Sequence, residues 1–299
     1  MNKIIRNTAW VMLLAITMAF GLVGTDDALA ASGGLTVSPT SSDVEIAPGA
    51  SKKGEMLVVN QGELDMKYKV YVTPYSVTGE DYQPYFQPIE GATNITKWFT
   101  FNITEDAVKV GEQDTISYNI AVPEGTGAGS YYATVFIETE DKGSTGVITR
   151  KRIGMIVYLR VSGNAIEKGS VSSWNVPWLQ EAPFKADVKI ANEGSVHFAS
   201  KVRLVVSDLF GSEKFSYERS PTIIPQKIRD VPIEWQNGAT FGFFKVDAEV
   251  NYLGKTEHMP SKYVFIANTP MRIVTVGIFL AFVGIVVFLG RKRVATRKK

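Results

Sequence analysis

Ile116-Ser117-Tyr118-Asn119-Ile120-Ala121-Val122 decides the fold: Ile116, Tyr118, Ile120 and Val122 face one way, while Ser117 and Asn119 face the other. Phe184, Ala186, Val188 and Ile190 alternate with Lys185, Asp187 and Lys189 in the same manner, and Tyr68, Val70 and Val72 alternate with Lys67, Lys69 and Tyr71. A period of two with one apolar and one polar face marks strands of antiparallel sheets packed as a sandwich. No stretch between residues 31 and 267 has a helical apolar period. Turn signals punctuate this region: Pro48-Gly49, Gln61-Gly62, Thr78-Gly79, Val110-Gly111, Gly125 to Gly129, Gly143 to Gly146, Glu193-Gly194, Phe210-Gly211, Asn237-Gly238 and Leu253-Gly254.

The spacing predicts an all-β chain of two tandem immunoglobulin-like sandwiches, residues 31–162 and 163–267. Strands are expected near 35–38, 53–60, 66–74, 98–103, 115–122, 130–140 and 147–162, then near 184–191, 201–208, 214–217, 228–235, 243–252 and 257–266. The halves echo each other. Val58-Val59-Asn60-Gln61-Gly62 parallels Ile190-Ala191-Asn192-Glu193-Gly194, and Gly129-Ser130-Tyr131-Tyr132 parallels Gly242-Phe243-Phe244-Lys245. Trp174, Pro177 and Trp178 at the joint are expected to form an interdomain apolar contact or a ligand platform.

The ends indicate where the chain resides. Ile273 to Gly290 is uncharged and apolar, about 27 Å long as a helix and close to the ~30 Å hydrocarbon thickness. A transmembrane helix is therefore expected at 271–290, and the tail 291–299, with six Lys or Arg and no acid, is expected in the cytoplasm. Lys3 and Arg6 precede an apolar stretch, Ala9 to Val23, and Ala28-Leu29-Ala30 forms a small-x-small site, so residues 1–30 read as a cleaved signal peptide. Ala267-Asn268-Thr269-Pro270 lacks a sortase motif, so the helix is expected to stay in the membrane.

The net charge of +2 conceals an acidic ectodomain, because Arg272 and the tail carry seven positive charges and the signal sums to zero, leaving −5. That balance argues against nucleic acid as a partner. Cysteine is absent, which excludes thiol chemistry, disulfides and cysteine-zinc sites. His197 and His258 stand alone, without a local nucleophile pattern, so neither catalysis nor a metal or cofactor is expected. Glu138, Glu140 and Asp141 read as a solvated strand end. Asn94-Ile95-Thr96 and Asn102-Ile103-Thr104 match a glycosylation pattern by chance.

The connection from Tyr75 to Lys97 is the segment most like a binding surface. Tyr75, Tyr82, Tyr85 and Phe86 are interleaved with Glu80, Asp81, Gln83 and Gln87. Such a loop either stacks its aromatic faces on sugar rings or folds back as a cover over the sheet.

Leu35-Thr36-Val37-Ser38-Pro39, Ala47-Pro48-Gly49-Ala50-Ser51, Val59-Asn60-Gln61-Gly62 and Gly127-Ala128-Gly129-Ser130-Tyr131-Tyr132-Ala133, set between a signal and a C-terminal anchor, resemble the WxL-interacting cell-surface proteins of bacteria. The first domain is also similar to the amino-terminal domain of pilus chaperones. The resemblance implies a first domain that binds peptidoglycan or another wall glycan and a second that binds another cell-surface protein. A second expectation is a chaperone-like factor that accepts an extended strand of a secreted subunit at a sheet edge. An envelope hydrolase would need paired carboxylates in a cleft.

Overall fold

The computed structural model describes residues 34–142 and 148–269, together with positions 274, 277, 280, 283 and 284, each in helical backbone. The signal at 1–30, the turn at Gly143 to Gly146, the tail at 291–299 and the rest of the helix expected at 271–290 lie outside the described residues. Among the described residues, no helix is long and apolar enough to cross a membrane.

The first unit contains β1 (Leu35–Ser38), β2 (Ser41–Ile46), β3 (Ser51–Asn60), β4 (Met66–Pro74), β5 (Ser76–Thr78), β6 (Gln83–Tyr85), a 3-10 turn at Ile95–Trp98, β7 (Phe99–Phe101), β8 (Glu105–Val108), β9 (Gln113–Ala121), β10 (Gly129–Lys142) and β11 (Ile148–Val161). One sheet runs β1-β3-β9-β7 and the other β2-β11-β10-β4-β8. The alternating faces meet between them: Ile116, Tyr118 and Ile120 of β9 pack with Val58, Val135, Met155 and Leu159. Each such aliphatic side chain withdrawn from water contributes about 1.5–3 kcal/mol.

The second unit contains β12 (Gly169–Asn175), β13 (Leu179–Gln180), β14 (Phe184–Asn192), β15 (Phe198–Asp208), β16 (Glu213–Arg219), β17 (Thr222–Ile223), β18 (Lys227–Trp235), β19 (Phe241–Tyr252), β20 (Lys255–His258) and β21 (Lys262–Ala267). Its sheets run β12-β14-β18 and β13-β21-β19-β15-β16. Phe184, Val188 and Ile190 of β14 face Leu204, Val246 and Ile266 in a second core.

The same device opens both units. The first strand pairs antiparallel in one sheet, then breaks and crosses to pair parallel with the last strand of the other. β1 lies on β3, and after Pro39 β2 lies parallel to β11 with Val44 beside Leu159. β12 lies on β14, and after Pro177 β13 lies parallel to β21. Proline has no N–H for a continuing ladder, so it suits the crossover.

The echo at Asn-x-Gly is a structural corner. Asn60 is buried; its amide donates to the carbonyls of Leu64 (2.8 Å) and Val108 (3.0 Å), and its Oδ1 accepts from Gly62 N (2.9 Å). Asn192 repeats the arrangement with Val196 O (2.8 Å), Ile223 O (2.9 Å) and Gly194 N (2.9 Å). The glycines of the second echo also correspond: Gly129 and Gly242 have φ of 152° and 145°, which side-chain-bearing residues rarely adopt.

Several expectations are corrected. β2, β8 and β12 were not anticipated, because Ser41–Ile46, Glu105–Val108 and Gly169–Asn175 carry too few apolar residues to show alternation. The strand expected at 257–266 is broken at Met259-Pro260-Ser261 into β20 and β21. The Trp pair does not bridge the units. Trp174 packs on the second core and donates Nε1–H to Pro260 O (3.0 Å), while Trp178 is 71% exposed. Both glycosylation-like asparagines accept from backbone, Asn94 Oδ1 from Thr96 N (3.0 Å) and Asn102 Oδ1 from Ser117 N of β9 (2.8 Å), which leaves the reading of a chance match as it stood.

Replacing Asn192 by Ala strands buried backbone partners and should destabilise the second unit by about 3 kcal/mol, with Asn60→Ala acting likewise on the first. Urea unfolding followed separately for each unit measures both losses.

Candidate functional site

Two neighbouring features on the first unit carry the candidate chemistry, the joint to the second unit and the outer side of β11. At the joint the Asn192 corner turns the chain so that residues 195–197 meet the ends of β10 and β11. His197 is fully buried, between the rings of Tyr132 and Tyr158 at centroid distances of 5.7 and 5.5 Å. Its Nε2 lies 3.2 Å from Asp43 Oδ1 and its Nδ1 2.7 Å from Ser130 Oγ. A carboxylate only accepts, so the Nε2–H donates to Asp43. Ser130 Oγ also accepts from His197 N (2.8 Å), and Arg160 Nη2 donates to His197 O (2.9 Å). Asp43 is held below the usual carboxylate value, first by the hydrogen bond from His197, against the opposing effect of partial burial. Sequence reasoning missed this Ser–His–Asp set because its pairs are separated by 67 and 154 residues and no short motif announces them.

The connection at 75–97 takes the second of its two expected forms. β5 and β6 fold it into a small hairpin that packs on the sheet and reaches the second unit, with Tyr75, Val77 and Tyr82 clustered around Ile224. Tyr82 Oη accepts from Ile224 N (3.1 Å), and the Arg229 guanidinium lies 4.5 Å from the centroid of its ring. Burial pushes the Tyr82 hydroxyl up to about 12 and raises Tyr75 as well. Glu80 O accepts from Asp230 N (2.8 Å), and Lys189 donates to the Glu80 carboxylate. Tyr75 and Tyr82 are each 8% exposed, Phe86 is half-buried and only Tyr85 is open, at 38%. The four residues expected to bind do not form one exposed aromatic platform, because the rings of Tyr75 and Tyr82 are buried in the joint and Phe86 packs against Phe136.

On the outer side of β11, β2 pairs only with Ile156–Val161. Ile156 N donates to Thr40 O (3.0 Å), so the strand's alternation points the N–H and C=O of Gly154, Arg152 and Arg150 the same way. Among the described residues no strand pairs with that side of residues 150–155. Arg152 sits beside it with its guanidinium 4.8 and 5.5 Å from the ring centroids of Phe136 and Phe86. Arg150 Nε donates to Glu140 (2.8 Å), and Tyr71 Oη to Glu138 (2.7 Å), so these two members of the acidic strand end are partnered. Sequence reasoning overlooked Arg150-Lys151-Arg152. Three consecutive cations in an otherwise apolar strand are the signal of an exposed sheet edge. Among the described residues no cluster of His, Cys, Asp or Glu could hold a metal ion.

No protein-family model matches the chain, and no curated protein matches it. Among solved structures the chain is similar to the class 5 fimbriae chaperone CfaA, with 14% identity, a TM-score of 0.37 and coverage of 79% of this chain and 100% of that one. It is similar to the YadV chaperone, with 10% identity, a TM-score of 0.41 and coverage of 76% and 100%. The E. coli chaperone DraB is similar with 14% identity, a TM-score of 0.38 and coverage of 79% and 98%.

The depressed value of Asp43 makes its contribution to the joint complete above about pH 4, the unfolded carboxylate range, and lost as pH falls through the lower folded value. Acid unfolding should therefore be steeper below pH 4 in the parent than in Asp43→Asn, as denaturation midpoints across pH 5 to 2.5 would show. Tyr82→Phe leaves the buried Ile224 N–H without its acceptor and should cost about 1–3 kcal/mol at neutral pH in the same assay.

Proposed function

We propose that this chain is a non-enzymatic surface protein that binds an extended segment of a protein partner along the uncovered outer side of β11. The observation that carries this reading is the run of outward backbone donors and acceptors at Arg150, Arg152 and Gly154, continuous with the ladder that β2 already makes. An added strand would satisfy those groups and lie level with β2, joining the sheet without rearrangement. The adjacent Arg150, Lys151 and Arg152 favour a partner strand with acidic side chains on its flanks.

Retention follows from the sequence. The apolar run from Ile273 to Gly290 would span the cell membrane once, with both sandwiches outside and the basic tail in the cytoplasm. Tethering raises the local concentration at which a weak edge contact meets its partner. The reading as a wall-glycan binder draws less support, since stacking on sugars needs open ring faces and Tyr75 and Tyr82 lie in the joint. The Ser130–His197–Asp43 set reads as a strut, its hydroxyl engaged with both the ring and the backbone of His197.

Arg150→Pro and Arg152→Pro each remove one outward donor while leaving the inward ladder to β10 intact. Copurification of the full chain with its envelope partner should fall at least tenfold in each, with the melting temperature within a few degrees of the parent. In the parent complex, amide exchange should slow at residues 150, 152 and 154. Undiminished copurification, or protection confined to another surface, would reject the edge.

A further inference from the structure

The second unit gathers several of its exposed aromatic side chains at one end. β21 runs from Lys262 to Ala267, and its register sets Phe241 beside Ala267 and Phe243 beside Phe265. Phe243 and Phe265 stack with centroids 4.3 Å apart, Phe241 meets Phe265 edge-on at 5.5 Å, and Phe243 is still 55% exposed. Asp208 pairs with Phe244, which places the turn after β15 at this same end. That turn presents Leu209 and Phe210 to solvent, Phe210 at 97%. It is preorganised: Asp208 Oδ1 accepts from Phe210 N and Ser212 N, both at 2.9 Å, and Gly211 takes φ of 85°. Trp178, whose carbonyl accepts from Phe265 N (2.7 Å), adds a further exposed ring.

This is also the end at which the chain leaves the sandwich. Ile273 is six residues beyond Ala267, and at about 3.5 Å per residue the apolar run starts within about 21 Å of it. We infer that this aromatic end of the second unit rests in the lipid interface, with Leu209 and Phe210 inserted below the headgroups and Phe241, Phe243 and Trp178 at their level. Aromatic rings favour that layer, and a fixed turn offering two apolar side chains loses little freedom on insertion. A cluster of exposed apolar residues marks a contact surface, and the short connection brings the bilayer to this one. The inference rests on the anchoring reading proposed above.

The chain has no cysteine, so a single one reports a single place. Phe210→Cys and Lys255→Cys, the latter at the opposite end of β19, are each labelled with an environment-sensitive fluorophore in the full chain. The chain is then reconstituted into vesicles of phosphatidylcholine and phosphatidylglycerol. The label at 210 should shift to shorter wavelength and lose severalfold intensity to brominated lipid, while that at 255 does neither. A label at 210 as unquenched as that at 255, in chain that floats with the vesicles, overturns the inference and leaves the anchor standing. Chain that fails to float overturns both. A shift at 210 without quenching by brominated lipid assigns the end to a second copy of the chain, and the lipid contact is rejected.

Discussion

The outer side of β11 has more hydrogen-bonding groups than the first strand can serve. β2 reaches Ile156–Val161 and stops, because Pro39 and the crossover fix where the chain enters the second sheet. In β21 the corresponding arrangement is shorter, with β13 contributing Leu179 and Gln180 only. A backbone edge in water is tolerable, since solvent serves the unpaired groups, but it is also a template for another strand. Charged side chains at Arg150 and Lys151 limit indiscriminate pairing while leaving the ladder intact. Among the described residues the edge is thus open and charged.

The joint determines how that edge is held. His197 makes contacts through its ring, its N–H and its carbonyl, and all of its partners lie on β2, β10 and β11. The hairpin formed by β5 and β6 clamps the other side of the joint through Tyr82, Ile224 and Glu80. The two clamps differ in kind. The histidine set centres on the ionised Asp43, whereas the hairpin contact combines apolar burial, the N–H groups of Ile224 and Asp230, and the exposed Lys189–Glu80 pair.

Legibility in the sequence followed the chemistry of each segment. β9 and β14 were plain because half-buried strands of antiparallel sheets must alternate, and both do. β2 was not, because in Ser41–Ile46 only Val44 and Ile46 are apolar and the third inward position is Ser42. The repeated Asn-x-Gly was visible as a pattern, but its purpose, a buried amide that closes a corner, depends on carbonyls at Val108 and Ile223 that no local reading reaches. The aromatics of the 75–97 connection carry two meanings in the sequence, a stacking surface or a cover. The choice turned on Ile224, which is 142 residues from Tyr82. Trp178 stands out in the sequence by its bulk, but its setting depends on Phe265 of β21, whose N–H its carbonyl accepts.

The parallel ladder between β2 and β11 also has a consequence in time. Its register joins Ser41 to Ile156, 115 positions later, so loop closure makes it a late event in folding. In a chain that emerges from its N-terminus, β2 is made early and must wait for nearly the whole of the first unit. During that interval its polar outer positions, Ser41, Asp43 and Glu45, keep an unpaired strand soluble. When β11 arrives its outer side is open along its full length, and β2 competes for it with any other extended segment nearby. Pro39 sets how far β2 can extend, so it secures Ile156–Val161 and leaves residues 150–155 to whatever strand arrives later.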